Sequence, residues 1–233
     1  PRPLDQPAKL HGIETATLRA TLDRAREILF EVRTHRVRPL LDDKVLTDWN
    51  GLMLGAIARA GVLLGEKRYL LAANQCAEFL SRMMWRDGRL LHRYRKGSAG
   101  ILGFVDDYAF FGNGLFQLYQ ATLEPHWLEL AATMGREMVR LFWHEDEGLF
   151  HTQGSDDPDK LIAPNRSVYD GAIPSGNSAA ALLLARLGRT LQDEALLNVA
   201  RRTLESMSPQ ISGHTPGFNY ALHALEHFVL PGQ

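Results

Sequence analysis

Three stretches of this chain follow one plan, and that repetition limits the folds open to it more than any other feature. Each stretch opens with a polar cluster, then gives an apolar helix, a short connection, a second amphipathic helix and a long loop. The first is TDWNGLMLGAIARAGVLLG followed by EKRYLLAANQCAEFLSRMMW, the second VDDYAFFGNGLFQLYQATL followed by EPHWLELAATMGREMVRLFW, and the third PSGNSAAALLLARLGRTL followed by QDEALLNVARRTLESM. Trp49, Tyr108 and Asn177 fall at matching places, and so do Tyr69, Trp127 and Leu196. The first step is 58 or 59 residues and the second 69, with the extra residues in the loop before Ser175. A further helix is expected over Glu14 to Arg36 and a last one over Gly217 to Leu230.

The two helices of a hairpin differ in kind. The first is apolar nearly all round (Leu52, Met53, Leu54, Ala56, Ile57, Ala58), which calls for burial on most sides. The second sets Leu70, Ala73, Ala77 and Leu80 against a face with Lys67, Glu78 and Arg82, which suits an outer layer. Asp48, Asp106 and Ser175 are placed to cap the inner helices, and Pro125 to open an outer one. Connections from inner to outer helices are short (Gly65–Glu66, Glu124–Pro125, Gln192). Those leading back are long: Arg86 to Val105, His144 to Pro174 and Ser208 to Pro216. Two share a pattern, Trp85-Arg-Asp-Gly-Arg-Leu-Leu-His92 and Trp143-His-Glu-Asp-Glu-Gly-Leu-Phe-His151, in which a short β-hairpin is expected. Gly112 and Gly114 sit inside a helical pattern and read as points of close helix packing. The fold class is therefore all-α: repeated αα-hairpins forming part of an α/α toroid, which the family resemblance given below makes an (α/α)6 ring, with short β-hairpins in the long loops. A solenoid of such hairpins is the other arrangement the pattern admits. Residues 1–233 are read as a single domain of this kind, a piece of a longer protein, since the chain opens without Met.

Composition narrows the function classes. A formal net charge of −1 gives no basis for broad attraction to nucleic acid or to an anionic membrane. No stretch has the length and apolarity of a membrane span. The single cysteine, Cys76, cannot close an internal disulfide and suits a reducing, cytoplasmic setting; no Cys/His metal spacing or cofactor motif stands out.

The long loops should gather where the inner helices begin, and those helix starts favour carboxylates and polar ligands. Asp106 and Asp107 are adjacent there: one can cap the helix while the other faces the cavity. Asp48 and Asp170 lie at the mouths of the neighbouring hairpins. Such a set can supply the proton donor and second carboxylate of glycoside hydrolysis, or simply cap helices and pair with Arg93, Arg95 or Arg166. Trp49 and Tyr108, with Asn50 beside them, can stack on and bond to a sugar ring, or pack in the core. His92 and His151 occupy matching places in the two hairpins, as acid/base groups or satisfied loop histidines. Asn177, in Asp170-Gly-Ala-Ile-Pro-Ser-Gly-Asn-Ser178, can bond a ligand or complete a capped turn, and Gly176 there permits close backbone approach. His223 and His227, four apart, share one helix face; they can bind metal or a polar substrate, or pack at the rim.

Four stretches carry a family resemblance: Arg38-Pro-Leu-Leu-Asp-Asp-Lys-Val-Leu-Thr-Asp-Trp-Asn-Gly-Leu-Met53, Gly103-Phe-Val-Asp-Asp-Tyr-Ala109, Asp170 to Ser178, and Leu4-Asp-Gln-Pro-Ala-Lys-Leu-His11. Together the chain resembles the thioredoxin-domain-containing family that includes spermatogenesis-associated protein twenty, over nearly its whole length. The resemblance implies a C-terminal portion of a helical domain similar to six-hairpin glycosidases and N-acylglucosamine 2-epimerases, preceded in the full-length protein by a thioredoxin-like domain. By analogy with the sugar enzymes of that fold, a saccharide or other polar small molecule is the expected ligand, while charge and the lack of a membrane span give neither nucleic acid nor membrane as partner. A non-catalytic helical scaffold serving the thioredoxin-like domain is the competing expectation. No Cys-x-x-Cys is present, so redox chemistry would not reside here.

Overall fold

A computed structural model describes residues 3–159 and 165–230. Part of the expected His144–Pro174 loop, residues 160–164, lies outside the described residues. By contacts the chain divides into two units, residues 1–42 and 43–233.

In the first unit, α1 (Asp5–Leu10) precedes α2 (Thr15–Thr34), close to the span its pattern predicts. Ala8 is its buried residue; α2 buries none and leaves Ile28, Leu29, Phe30 and Val32 exposed.

The second unit holds the three hairpins: α3 (Thr47–Leu63) with α4 (Lys67–Met83), α5 (Val105–Thr122) with α6 (Pro125–Phe142), and α7 (Gly176–Leu191) with α8 (Glu194–Gly213). A 3-10 turn at Thr215–Gly217 then leads into α9 (Asn219–Val229). The first helices of the hairpins and α9 pack in sequence, α3 on α5, α5 on α7, α7 on α9, while α4, α6 and α8 each pack on the helix before and the helix after. Both α5 and α7 are apolar on almost every face and are buried almost throughout. The expectation of burial all round fails for α3, whose Met53 and Val62 are exposed, because within this unit only α4 and α5 flank it closely.

Glycines set the helix spacings. A Cβ on Gly51 would lie 2.5 Å from Phe111 N, and one on Gly114 2.5 Å from Gly51 O, so α3 and α5 touch backbone to backbone. Gly112 admits Leu183 of α7 in the same way. Each hairpin turns through one left-handed residue, Gly65 (φ 67°), Leu123 (φ 59°) and Gln192 (φ 57°), although only the first is a glycine.

Both expected β-hairpins form. β2 (Trp85–Arg86) pairs with the start of β3 (Arg89–Arg95), and β5 (Trp143–His144) with β6 (Leu149–Phe150). The Asp87-Gly88 turn has positive φ at both residues, the geometry a two-residue hairpin requires. The sheet around β3 is larger than expected. β4 (Ser98–Leu102) returns along β3 through Lys96-Gly97, and β1 (Val45–Leu46) pairs with its other edge, Leu46 opposite Arg93. The third long loop is a correction. Ser208–Pro216 was expected to be irregular, but α8 runs on to Gly213 with Pro209 inside it. Ile211 packs against the small core of Leu204, Met207 and Phe218, and that burial offsets the backbone bond the proline removes.

Candidate active site

The start of α3 is joined to the start of α5 through Asp107. Its side chain is fully buried. Oδ1 accepts the backbone N–H of Asp48 at 3.0 Å, and Oδ2 accepts that of Phe104 at 2.8 Å. Asp107 thus closes the first turn of α5 from its third position, so the capping role expected of Asp106 belongs to its neighbour. His92 Nδ1 lies 3.0 Å from both carboxylate oxygens. β3 aims this imidazole: strand alternation sends Leu90, His92 and Tyr94 to one face, where Tyr94 meets Phe79 of α4 and the His92 ring meets Phe104 edge-on at 5.1 Å. Thr47 Oγ1 donates to Leu91 O at 2.6 Å and fastens the strand to the start of α3.

Asp48 is nearly buried and does not cap from outside the helix; its Oδ1 accepts its neighbour Trp49 N–H at 2.7 Å. Asp106 sits beside the start of α7, where a Cβ on Gly176 would come within 2.5 Å of its Oδ1. That is the close approach read from the Pro-Ser-Gly-Asn sequence. Among the described residues no arginine forms an ion pair with Asp48, Asp106, Asp107 or Asp170; Arg95 pairs with Asp43 and Arg166 with Glu147.

Burial and close charges shift Asp48, Asp106 and His92 from their ordinary values. Burial raises the Asp106 carboxyl to about 6, with the negative charges of Asp107 and Asp48 adding to the rise and His92 opposing it. Asp48 is also raised, by burial first and then by Asp107, against the Trp49 N–H and His92. His92 is raised chiefly by its hydrogen bond to Asp107, against the effect of its own burial. One group is thus poised to hold a proton near neutral pH beside an imidazole that favours its charged form, the kind of separation acid/base chemistry uses.

Asp48, His92 and Asp107 also offer ligand atoms within 4.8 Å of one another, a metal-compatible grouping that linear spacing hides because α3, β3 and α5 each supply one member. Both Asp107 oxygens already accept backbone N–H groups, and an ion would compete with those bonds.

The remaining expected residues divide. Trp49 is 59% exposed, beside the cluster, and offers a free aromatic face. Asn50 turns back to donate to Leu46 O at 2.7 Å. Tyr108 does not offer a stacking face: it is fully buried against Trp85 and Phe142, and its hydroxyl accepts Leu90 N–H at 2.9 Å. Asn177 is likewise buried, bonded to both N and O of Phe150 and to Ser167 O, so it holds the second hairpin rather than a ligand. Asp170 organises the entry to two helices, accepting Ser175 N–H at 2.9 Å and Tyr220 N–H at 2.8 Å. His151 pairs with Glu147 at 3.0 Å and stacks on His144, outside the acid cluster. Sequence reasoning missed Thr47 and Phe104, whose parts in the site are played by a hydroxyl contact across the fold and by a backbone N–H.

No family model matches the chain. It is 36% identical over 194 residues to human spermatogenesis-associated protein 20, covering 79% of this chain and 25% of that protein. It is 30% identical over 210 residues to an uncharacterised Caenorhabditis elegans protein, covering 87% and 28%. The chain thus spans about a quarter of the length of the relatives it matches. Among solved structures it is similar to an unsaturated glucuronyl hydrolase from Bacillus sp. GL1 (TM-score 0.62, 17% identity, 83% of this chain and 62% of that one). It is also similar to a sugar epimerase from a ruminal bacterium (TM-score 0.61, 12% identity, 72% and 46%) and to a family 76 glycoside hydrolase from Bacteroides thetaiotaomicron (TM-score 0.59, 20% identity, 71% and 35%). These identities establish the fold, that of the α/α toroids of glycosidases and epimerases. The chain belongs to the family of spermatogenesis-associated protein 20 and corresponds to a helical, glycosidase-like part of it.

Proposed function

We propose that the mouth formed by α3, α5 and α7 is a carbohydrate-directed acid/base site with Asp106 as its proton donor. The observation that carries this reading is the Asp106 carboxyl held at about 6 within the Asp48–His92–Asp107 cluster. In hydrolysis Asp106 would give its proton to the leaving glycosidic oxygen as that bond to the anomeric carbon breaks, and Asp48 would take a proton from the water whose oxygen forms the new bond to that carbon. Epimerisation would use the same donor in proton exchange beside a carbonyl. The charges of Asp107 and His92 act on the donor in opposite directions, and exposed Trp49 supplies a face for the apolar side of a sugar ring. The names of the similar structures point to the same ligand class. This reading sets the chain in the cytoplasm as part of a toroid that the longer protein completes, alongside a thioredoxin-like domain. No helix among the described residues is long and apolar enough to cross a membrane.

A panel of 4-nitrophenyl glycosides and free mono- and disaccharides tests it on the folded chain. Expected are a rise in melting temperature with at least one sugar and a turnover that Asp106→Asn lowers by about 100-fold or more. A chain that neither binds nor turns over any of them overturns the reading and leaves the non-catalytic scaffold in its place.

A further inference from the structure

Two adjoining cavities are lined by the first helices of the hairpins and by α9, and neither is lined by Asp48, His92, Asp106 or Asp107. One, of ≈ 320 Å³, lies between the later turns of α5 and α7 and the middle of α9. The other, of ≈ 250 Å³, reaches back along α3 and α5, and the two share Arg186 and His223. Arg59, Arg186, Arg189, His223 and His227 line them, and among the described residues Glu226 is the single carboxylate doing so. In a chain of net charge −1, this is a local excess.

The excess is larger than helix ends require. One cation in the last turn of α7 and one in that of α9 would answer the negative helix termini. Arg186 stands a turn deeper. Its guanidinium donates to the neutral amide oxygen of Asn113 at 2.9 Å and lies over the Phe116 ring, and among the described residues it forms no ion pair with a carboxylate. His223 reaches Glu226 only at 4.0 Å, and its ring centroid is 6.2 Å from that of His227. The field has its signature in the imidazoles. Burial lowers His227 to about 4, and Arg186, His223 and Arg189 push the same way against Glu226. Burial also lowers His223, with Arg186 and Arg59 adding to the effect. From α8, Arg201 lies over Phe228 and adds positive charge to that side of α9.

We propose that this basic cavity binds the oxyanion group, phosphate or carboxylate, of a small metabolite. A guanidinium fork matches either group with paired N–H bonds, and both histidines become donors once an anion restores their protonation. Binding takes up protons, so affinity falls as pH rises.

Isothermal titration of the chain at low salt tests this. Inorganic sulfate, whose charge is constant between about pH 6 and 8, is expected to bind saturably in the millimolar range and at least threefold more weakly at the higher pH. Arg186→Gln should weaken it roughly tenfold. Because that variant also loses the Asn113 bond, Glu226→Gln is the counter-test: it removes the one carboxylate among the described lining residues and should tighten binding. Glucose 6-phosphate, glucuronate and glucose separate the two sources. Binding of the first alone assigns a phosphate ester, and binding of the second alone assigns a carboxylate. Binding of glucose as strongly as either overturns an anion site. Absence of saturable binding of sulfate, glucose 6-phosphate and glucuronate alike, equal affinity at both pH values, or no change in either variant would also overturn it. Asp106→Asn should leave sulfate affinity unaltered, so this inference and the sugar reading fail independently.

Discussion

Asp106 shows how much a residue's surroundings can change its ordinary chemistry. Its carboxyl binds a proton more tightly in the folded chain than unfolded, because burial and two neighbouring carboxylates penalise the anion. Its contribution to stability is therefore most favourable below about pH 4 and is lost as the pH climbs through about 6. Asp106→Asn should accordingly melt close to the wild type at pH 4 and a few degrees above it at pH 7.5; an equal or lower melting temperature at pH 7.5 would refute the placement. Tyr108→Phe should behave differently. It leaves the buried Leu90 N–H without its hydroxyl acceptor, at a cost of about 1–3 kcal/mol in denaturant titrations. Asn177→Ala strips a buried Phe150 N–H and two carbonyls of their partner, and a loss of about 2–4 kcal/mol is expected. Here sequence reading reached its limit. The spacing identified Asp48, His92 and Asp107 as candidates, yet it ranked Tyr108 and Asn177 beside them. A polar side chain at a helix start looks the same in sequence whether it faces a ligand or the underside of a hairpin.

At the scale of elements, the repeat was legible because each hairpin must bury one helix nearly all round and the next on one face. Those two patterns differ within a single window of sequence. The helix boundaries of α3 to α7 came out within a residue or two for the same reason, and so did both β-hairpins, whose turns need particular residues. What escaped were the features that depend on long-range partners. β1 and β4 exist because β3 offers them an edge, and the last turns of α8 persist past Pro209 because Ile211 finds a core. The left-handed turns supply an element-scale prediction. Gln192→Gly, at a position where a β-carbon costs energy, should stabilise the α7–α8 hairpin by about 0.5–1 kcal/mol, seen as a shift in the denaturant midpoint without a change of slope.

Across the whole molecule, both clusters of buried apolar side chains lie within residues 43–233. Expressed alone, that segment should unfold in one cooperative transition; a broad melt without a heat-absorption peak would show that its core is insufficient. Residues 1–42 present the opposite case, since a helix with no buried residue draws little stability from its own unit. The direct backbone contact of α3 with α5 reaches beyond packing. Gly51 and Gly114 fix the helix separation one turn or more below the Asp48–Asp107 bond, and β3 straps both helix starts from above. On the proposed reading, a sugar arriving there meets groups whose spacing was set when the chain folded. Recognition at the mouth should therefore work by selection among shapes rather than by moulding, with fast capture, little ordering of backbone and steep discrimination between stereoisomers.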